Sequence, residues 1–249
     1  MSVVAGCITL ESVIIGADCR VTEKIDGNSS YSDYMQKVFA LSENAAVGFV
    51  GDNFVAGSIL LSLFKKWPQL EPLPDFELKK NLRACLQSKF QDLPNEKKQE
   101  AQFMIVGALP SGSTIVSRKV LNDLLYLQSS RGDGFNANGL SSRLVDLTMS
   151  TDENVEISDS RFILFVARSP EFNIEAAQPL TEIVAIGSGK EVQVELQKSR
   201  SRIVAQVPPF ADTMLFRDPM TKYMVSSGEM TLGGLLTVFR VTSSTVSSP

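Results

Sequence analysis

Ser2-Val3-Val4-Ala5-Gly6-Cys7-Ile8-Thr9-Leu10, a break at Glu11-Ser12, and Val13-Ile14-Ile15-Gly16-Ala17-Asp18-Cys19-Arg20 make up the stretch from which the rest of the chain is best read. Two apolar runs rich in Val and Ile, with no alternation, predict strands covered on both faces. The short break between them predicts a hairpin. A small hydroxyl residue stands directly behind Met1. A hydroxyl residue that becomes the chain terminus can be both nucleophile and carrier of its own base, because hydroxyl and free α-amine then belong to one residue. Such chemistry needs no histidine, and the chain contains none.

The lack of histidine removes Ser-His-Asp and Cys-His catalysis and the zinc motifs that use histidine. Lys+Arg 24 against Asp+Glu 28 gives a net charge of −4, which leaves no basic surplus for a nucleic-acid partner. With 249 residues, 43% of them apolar, the chain can bury a large core. Its apolar runs are too short to cross a bilayer. No basic flank precedes the first run, so a signal peptide is not expected. Cys7, Cys19 and Cys85 show no metal spacing and cannot all pair, and buried thiols are the simplest reading. These features point to the cytoplasm. Arg131-Gly132-Asp133 and Asn28-Ser29-Ser30 are then chance matches to extracellular signals.

Further strands are predicted at 38–41, 45–50, 103–107, 114–116, 162–167, 183–186 and 235–241. Val55, Ile59, Leu60, Leu63, Phe64 and Trp67 recur at helical spacing up to Pro68, which is expected to stop the helix. A second helix is expected from Asp75, as N-cap, through Phe90. A third spans 190–206 through Val192, Leu196 and Ile203 and ends at Pro208-Pro209. Residues 128–160 are rich in Ser, Gly, Asp and Asn and read as a surface insertion with a short helix near Ser141–Met149. A single domain over 1–241 and a disordered serine-rich tail over 242–249 complete this reading.

Ser2, Gly16-Ala17-Asp18-Cys19-Arg20, Lys37 in Gln36-Lys37-Val38-Phe39, Gly51 fourteen residues later, and Ala185-Ile186-Gly187-Ser188-Gly189 together resemble the proteasome β-subunit family of N-terminal nucleophile hydrolases. The match is closest over residues 2–60. It implies an α+β fold of four layers, αββα. It also implies a peptidase acting on polypeptides in a homo-oligomeric ring or stacked rings, with no cofactor, metal, nucleic acid or membrane, and leaves a partner ATPase open. The resemblance makes Ser2 the nucleophile, Lys37 the charge that keeps the Ser2 amine neutral, Asp18 the partner of that charge, and Gly51 the oxyanion donor. Ser188 would assist proton transfer. Residues matching the pocket for the side chain before the cut bond are Val21, Thr22, Phe39, Phe49, Asn53 and Gly57. The ring of Phe49 would make that pocket shallow and apolar.

The chemistry explains these residue types. An α-amine with a reference pKa of about 7.7–8.0 is largely neutral near pH 7–8 and can take the serine proton. A nearby ammonium pushes it further towards the neutral form. Removal of Met1, which a small second residue favours, is required. Taken singly, each residue has an ordinary rival reading: Ser2 a commonplace second residue, Asp18 a strand-end turn former, Lys37 a surface charge, Gly51 a turn, Ser188 a cap. Serine stands where the family has threonine. No residue is securely matched to the family's late Asp and Ser; Asp218, Glu229 and Thr231 are candidates, none carried over. The sequence shows one helix after Gly189 where the family has two. A non-catalytic structural subunit of the same fold, and an amidase acting on a small amide, are the alternatives.

Hairpin register is a further expectation. A two-residue turn at Glu11-Ser12 opposes Ser2 to Val21 and turns Asp18 away from Ser2. A three-residue loop, Leu10 to Ser12, opposes Ser2 to Arg20 and brings Asp18 onto the face of Ser2. The chemistry calls for the second register or a bulge.

Overall fold

The computed structural model describes residues 2–25, 28–130, 142–188, 190–204, 211–226, 235–242 and 246–247. The opening apolar runs form β1 (Val3–Ile8) and β2 (Val13–Asp18), buried at every position. A polar hairpin follows, β3 (Val21–Ile25) with β4 (Asn28–Ser32), and then β5 (Val38–Ser42) and β6 (Ala45–Gly51). Next come α1 (Asn53–Leu70), α2 (Asp75–Gln91) and β7 (Ala101–Leu109). A second small hairpin, β8 (Thr114–Ser117) with β9 (Asn154–Ser158), brackets α3 (Arg118–Ser130) and α4 (Ser142–Thr148). The chain continues through β10 (Arg161–Arg168), β11 (Glu175–Ala176), β12 (Ile183–Gly187), α5 (Lys190–Lys198), α6 (Arg200–Val204) and α7 (Ala211–Ser226). It closes with β13 (Leu236–Val241) and β14 (Val246–Ser247).

This is a mixed α/β architecture with two five-stranded sheets, ordered β12-β1-β2-β13-β14 and β11-β10-β7-β6-β5. Alternation along the central strands divides the core. Val4, Ile8, Val13 and Ile15 of the first sheet meet Ala46, Val50, Met104, Val106, Leu164 and Val166 of the second. Val3, Ala5, Cys7 and Ile14 point the other way, against Val192, Leu196, Ile203, Phe216 and Met220 of α5, α6 and α7. The outer face of the second sheet, with Val47, Phe103, Ile105 and Phe165, packs on Val55, Ile59, Leu63 and Trp67 of α1 and Leu78, Leu82 and Leu86 of α2. Strands covered on both faces bury consecutive residues, which is why these runs lack alternation.

A fourth cluster joins Leu10 to Val116, Leu121, Leu124, Leu144, Val155, Ile157 and Val204. The described part of the excursion between β7 and β10 therefore packs at the end of β1 opposite Ser2. β7 pairs directly with β10 (Phe165↔Ile105), so the excursion interrupts a hairpin and contributes its own two-stranded sheet.

Several expectations change. The β1–β2 register is neither of the two anticipated: Ile8 opposes Val13 and Val4 opposes Ala17, leaving a four-residue loop, Thr9 to Ser12. Thr9 Oγ1 accepts the N–H groups of Glu11 (3.3 Å) and Ser12 (3.0 Å), a side-chain turn that widens the loop by one residue. Pro68 does not stop α1, which continues to Leu70; proline removes one N–H donor, and the Glu71 N–H still reaches the Trp67 carbonyl at 2.9 Å. Asp75 is the first residue of α2, and Pro74 occupies the N-cap. The helix expected over 190–206 breaks after Lys198 into α5 and α6, and α7 follows, so among the described residues three helices stand where the sequence predicts one. Pro208-Pro209 lies outside the described residues. In the serine-rich tail, Val246–Ser247 pairs with β13. Among the described residues no helix is long and apolar enough to cross a membrane.

Candidate functional site

The site forms at the open end of the two sheets, where β1 begins, β2 ends and β5 begins. Lys37 lies one residue before β5, and its side chain is 2% exposed. Its ammonium donates to Ser2 Oγ at 2.7 Å and to both Asp18 carboxylate oxygens at 3.1 Å, and it also donates to the Arg20 carbonyl. Asp18, 0% exposed, accepts the Val3 N–H at 2.8 Å and the Arg20 N–H at 3.3 Å. Burial pushes the Lys37 ammonium below its ordinary pKa, and the paired Asp18 charge opposes that shift. Burial likewise pushes the Asp18 carboxyl up, against the attraction of Lys37 and the donation from Val3.

The register explains how Asp18 reaches this spot. Backbone pairing of β1 with β2 ends at Val4↔Ala17. Continued one step further, it would place Asp18 opposite Val3 and on the helix-facing side, away from Ser2. Pairing stops there, and the carboxylate takes the Val3 N–H that the next carbonyl would otherwise have taken. The side chain thus ends the ladder and faces Lys37.

One glycine borders Ser2, and another ends β6, the strand paired with β5. At Gly187, φ is +73° and a Cβ would lie 2.1 Å from the Ser2 carbonyl oxygen, so only glycine lets β12 come this close. The next residue, half-buried Ser188, donates its backbone N–H to that same carbonyl at 2.9 Å. Ser188 thus meets Ser2 through the main chain. At Gly51, φ is +109° and a Cβ would lie 2.2 Å from the Glu100 carbonyl oxygen. The Phe49 N–H donates to the Lys37 carbonyl at 3.1 Å. Alternation along β6 turns the Gly51 N–H to that same edge, beyond the point where pairing with β5 (Val38↔Gly48) has ended. Asp52 then caps α1, accepting the Val55 N–H at 2.9 Å.

Among the pocket candidates, Phe49 is 2% exposed, in the cluster beneath α1, with its ring stacked on Phe39 at 6.4 Å. Val21 and Gly57 are half-buried and Asn53 is exposed at the start of α1. The backbone of Thr22 pairs with Tyr31 in the β3–β4 ladder. Asp218 is exposed on α7, while Glu229 and Thr231 lie outside the described residues. Among the described residues no group of three or more His, Cys, Asp or Glu could hold a metal ion.

Two residues at the site were not found by reading the sequence. Gln102 on β7 accepts the Gly187 N–H at 3.3 Å and so ties the two sheets together beside Ser188. Asp33, just after β4, holds the Arg20 guanidinium at 2.5 and 2.8 Å. Neither carries a local signal: Gln102 meets Gly187 across two sheets, and Asp33 meets Arg20 only once the β3–β4 hairpin has paired.

No protein-family model matches the chain, and no curated protein matches it. Solved structures do share its fold. A mutant of Anbu from Hyphomicrobium sp. strain MC1 aligns over 100% of this chain and 85% of its own, with a TM-score of 0.61 at 12% identity. Anbu from Yersinia bercovieri, described as an ancestral beta-subunit, aligns over 100% and 86%, with a TM-score of 0.60 at 12% identity. HslV from Trypanosoma brucei aligns over 96% of this chain and 99% of its own, with a TM-score of 0.53 at 12% identity. At such identity the likeness is one of fold, and the fold is proteasome-like.

Proposed function

We propose that this chain is an N-terminal nucleophile peptidase, built as four layers αββα and working within a ring of its own copies. The observation that carries the reading is the buried Lys37 ammonium, held by Asp18 and donating to Ser2 Oγ at 2.7 Å. A buried lysine needs a reason to be there, since an apolar residue of similar volume often serves stability as well or better.

With Met1 removed, the Ser2 α-amine is the base. Ser2 Oγ attacks the scissile carbonyl carbon and its proton passes to the amine. Lys37 favours the neutral amine beforehand and stabilises the developing alkoxide through its hydrogen bond to Oγ. The Gly51 N–H donates to the oxyanion, a contact whose loss typically costs about 10²–10³ in rate. The amine returns its proton to the leaving nitrogen, which leaves an ester on Ser2. Water then attacks that ester with the same base and the same oxyanion donor, and Ser2 is regenerated. Asp18 holds Lys37, and the Ser188 N–H fixes the Ser2 main chain.

Peptide hydrolysis by purified assemblies tests the reading. The chain should cleave fluorogenic peptides, and Ser2→Ala should abolish turnover while leaving assembly intact. Equal activity of the two proteins would exclude Ser2 as nucleophile. A correctly processed, folded chain with no hydrolysis of peptides or small amides would instead be the structural subunit.

A further inference from the structure

Lys37 is held by more than Asp18, because the Arg20 carbonyl also accepts from its ammonium. Arg20 follows β2 and leads into β3, where a backbone carbonyl is held only as firmly as its neighbours hold it. Its N–H donates to Asp18 at 3.3 Å. Its guanidinium is gripped at two points by Asp33, Nε to Oδ1 at 2.5 Å and Nη2 to Oδ2 at 2.8 Å, and lies 6.0 Å from the centre of the Tyr31 ring. Two parallel bonds to a planar carboxylate fix orientation as well as distance. The Met35 N–H adds a bond to the Cys19 carbonyl at 3.2 Å, joining the segment before Lys37 to the segment before Arg20.

The hairpin β3–β4 is thereby closed across its base. Val21 opposes Ser32, so the residues just outside that pair, Arg20 and Asp33, stand where the strands leave the hairpin. From the geometry we infer that Asp33 is a positioning residue for the proposed catalysis: by clamping Arg20 it aims the Arg20 carbonyl at the Lys37 ammonium. The inference rests on the peptidase reading for its kinetic consequence, but its structural core does not. Asp33 also acts on Lys37 directly. The carboxylates whose charge bears on the ammonium are Asp18 and Asp33, both favouring the protonated form. Loss of Asp33 therefore removes a favourable charge and loosens a favourable acceptor. Both effects make Lys37 easier to deprotonate.

An ordinary surface ion pair would contribute little and would leave chemistry alone. The Arg20 side chain is 24% exposed and that of Asp33 40%, so both can be altered without opening the core. The test uses assembled protein carrying Asp33→Asn, Asp33→Ala or Asp33→Glu, with kcat and KM for peptide hydrolysis and the NMR titration of the Lys37 side chain in 13C-lysine-labelled protein. Asn and Ala should lower kcat about tenfold or more with KM within about twofold, as slight misplacement of catalytic groups does. Asp33→Glu, which keeps the carboxylate, should recover most of that loss. The Lys37 titration should move to lower pH in Asn and Ala but not in Glu. Unchanged kcat and an unchanged Lys37 titration in folded Asp33→Asn would overturn the inference, as would a loss confined to KM. If the parent protein itself shows no Ser2-dependent hydrolysis, the peptidase reading has failed, and the Lys37 titration still decides whether Asp33 acts on Lys37. A titration that does not move would then overturn the clamp as well.

Discussion

Lys37→Met should leave the fold standing but measurably weakened, with a pH dependence of definite sign. Methionine fills much of the volume of the lysine stem, so the cavity term is small. What remains is the Asp18 carboxylate, 0% exposed and without its counter-charge. Removing one partner of a buried ion pair typically costs about 3–5 kcal/mol. Asp18 keeps the N–H groups of Val3 and Arg20, and it can take up a proton, so about 3 kcal/mol is the reasonable figure. For a domain of this size that corresponds to a fall in Tm of roughly 6–12 °C. Burial already raises the Asp18 carboxyl above 3.8, and the variant loses the Lys37 attraction that opposed the rise. Between 3.8 and the raised folded value the folded state binds a proton that the unfolded state does not, so stability falls as pH rises through that window. Thermal melts followed by circular dichroism should show a larger deficit at about pH 8 than at about pH 5. The double variant Asp18→Asn/Lys37→Met should regain most of the stability, because no charge is left buried. A single variant with parental Tm at both pH values would refute the argument that Lys37 and Asp18 form a buried, coupled pair.

Lys37→Ala and Lys37→Arg should both abolish turnover, since a larger planar guanidinium does not reproduce a compact ammonium donating to Ser2 Oγ, Asp18 and the Arg20 carbonyl; near-normal kcat in either would reduce Lys37 to a structural role. Gly51→Ala should destabilise by about 1–3 kcal/mol from backbone conformation alone, with more from the Cβ placed 2.2 Å from the Glu100 oxygen, and peptide hydrolysis should fall with it; a stable, active variant would exclude Gly51 as a strained oxyanion donor. The acid limb of kcat/KM should have its midpoint below the roughly 7.7–8.0 of an ordinary α-amine, because the Lys37 ammonium disfavours a second positive charge beside it; a midpoint above that range would argue against the amine as base. Val21, Phe39, Phe49, Asn53 and Gly57 include no charged residue, so cleavage should follow small or medium apolar side chains. A peptide library showing dominant cleavage after Arg, Lys, Asp or Glu would contradict that assignment.

Much of the fold was legible because burial on both faces writes itself into unbroken apolar runs. β1, β2, β6, β7 and β10 fall on such runs, while β5, β12 and β13 show shorter apolar stretches that are only partly buried. The hairpin β3–β4 was not legible, because Thr22, Glu23, Lys24 and Asn28 to Ser32 show neither apolar alternation nor a continuous run. Nor was α7, whose Asp218-Pro219 pair argues against a helix that Phe216, Met220 and Tyr223 nevertheless anchor to the first sheet. The register of the first hairpin depended on Thr9 bonding to the backbone of Glu11 and Ser12, a local competition that hydrophobic pattern does not record. At the site, Ser2, Asp18 and Lys37 gained meaning only as a set at matched spacing, and the structure places them within hydrogen-bond reach through the Lys37 ammonium. Asp33 and Gln102 were invisible because their partners, Arg20 and Gly187, are brought to them by strand pairing and sheet packing alone.

The central claim is that Ser2 becomes a terminal nucleophile. Intact-mass measurement of protein from its native source, before and after reaction with a peptide carrying a carbonyl electrophile, tests it most directly. The account predicts a chain lacking Met1 that gains one adduct, mapped by fragmentation to Ser2 and absent from Lys37→Ala. Quantitative retention of Met1, or an adduct mapping to any residue other than Ser2, would contradict it.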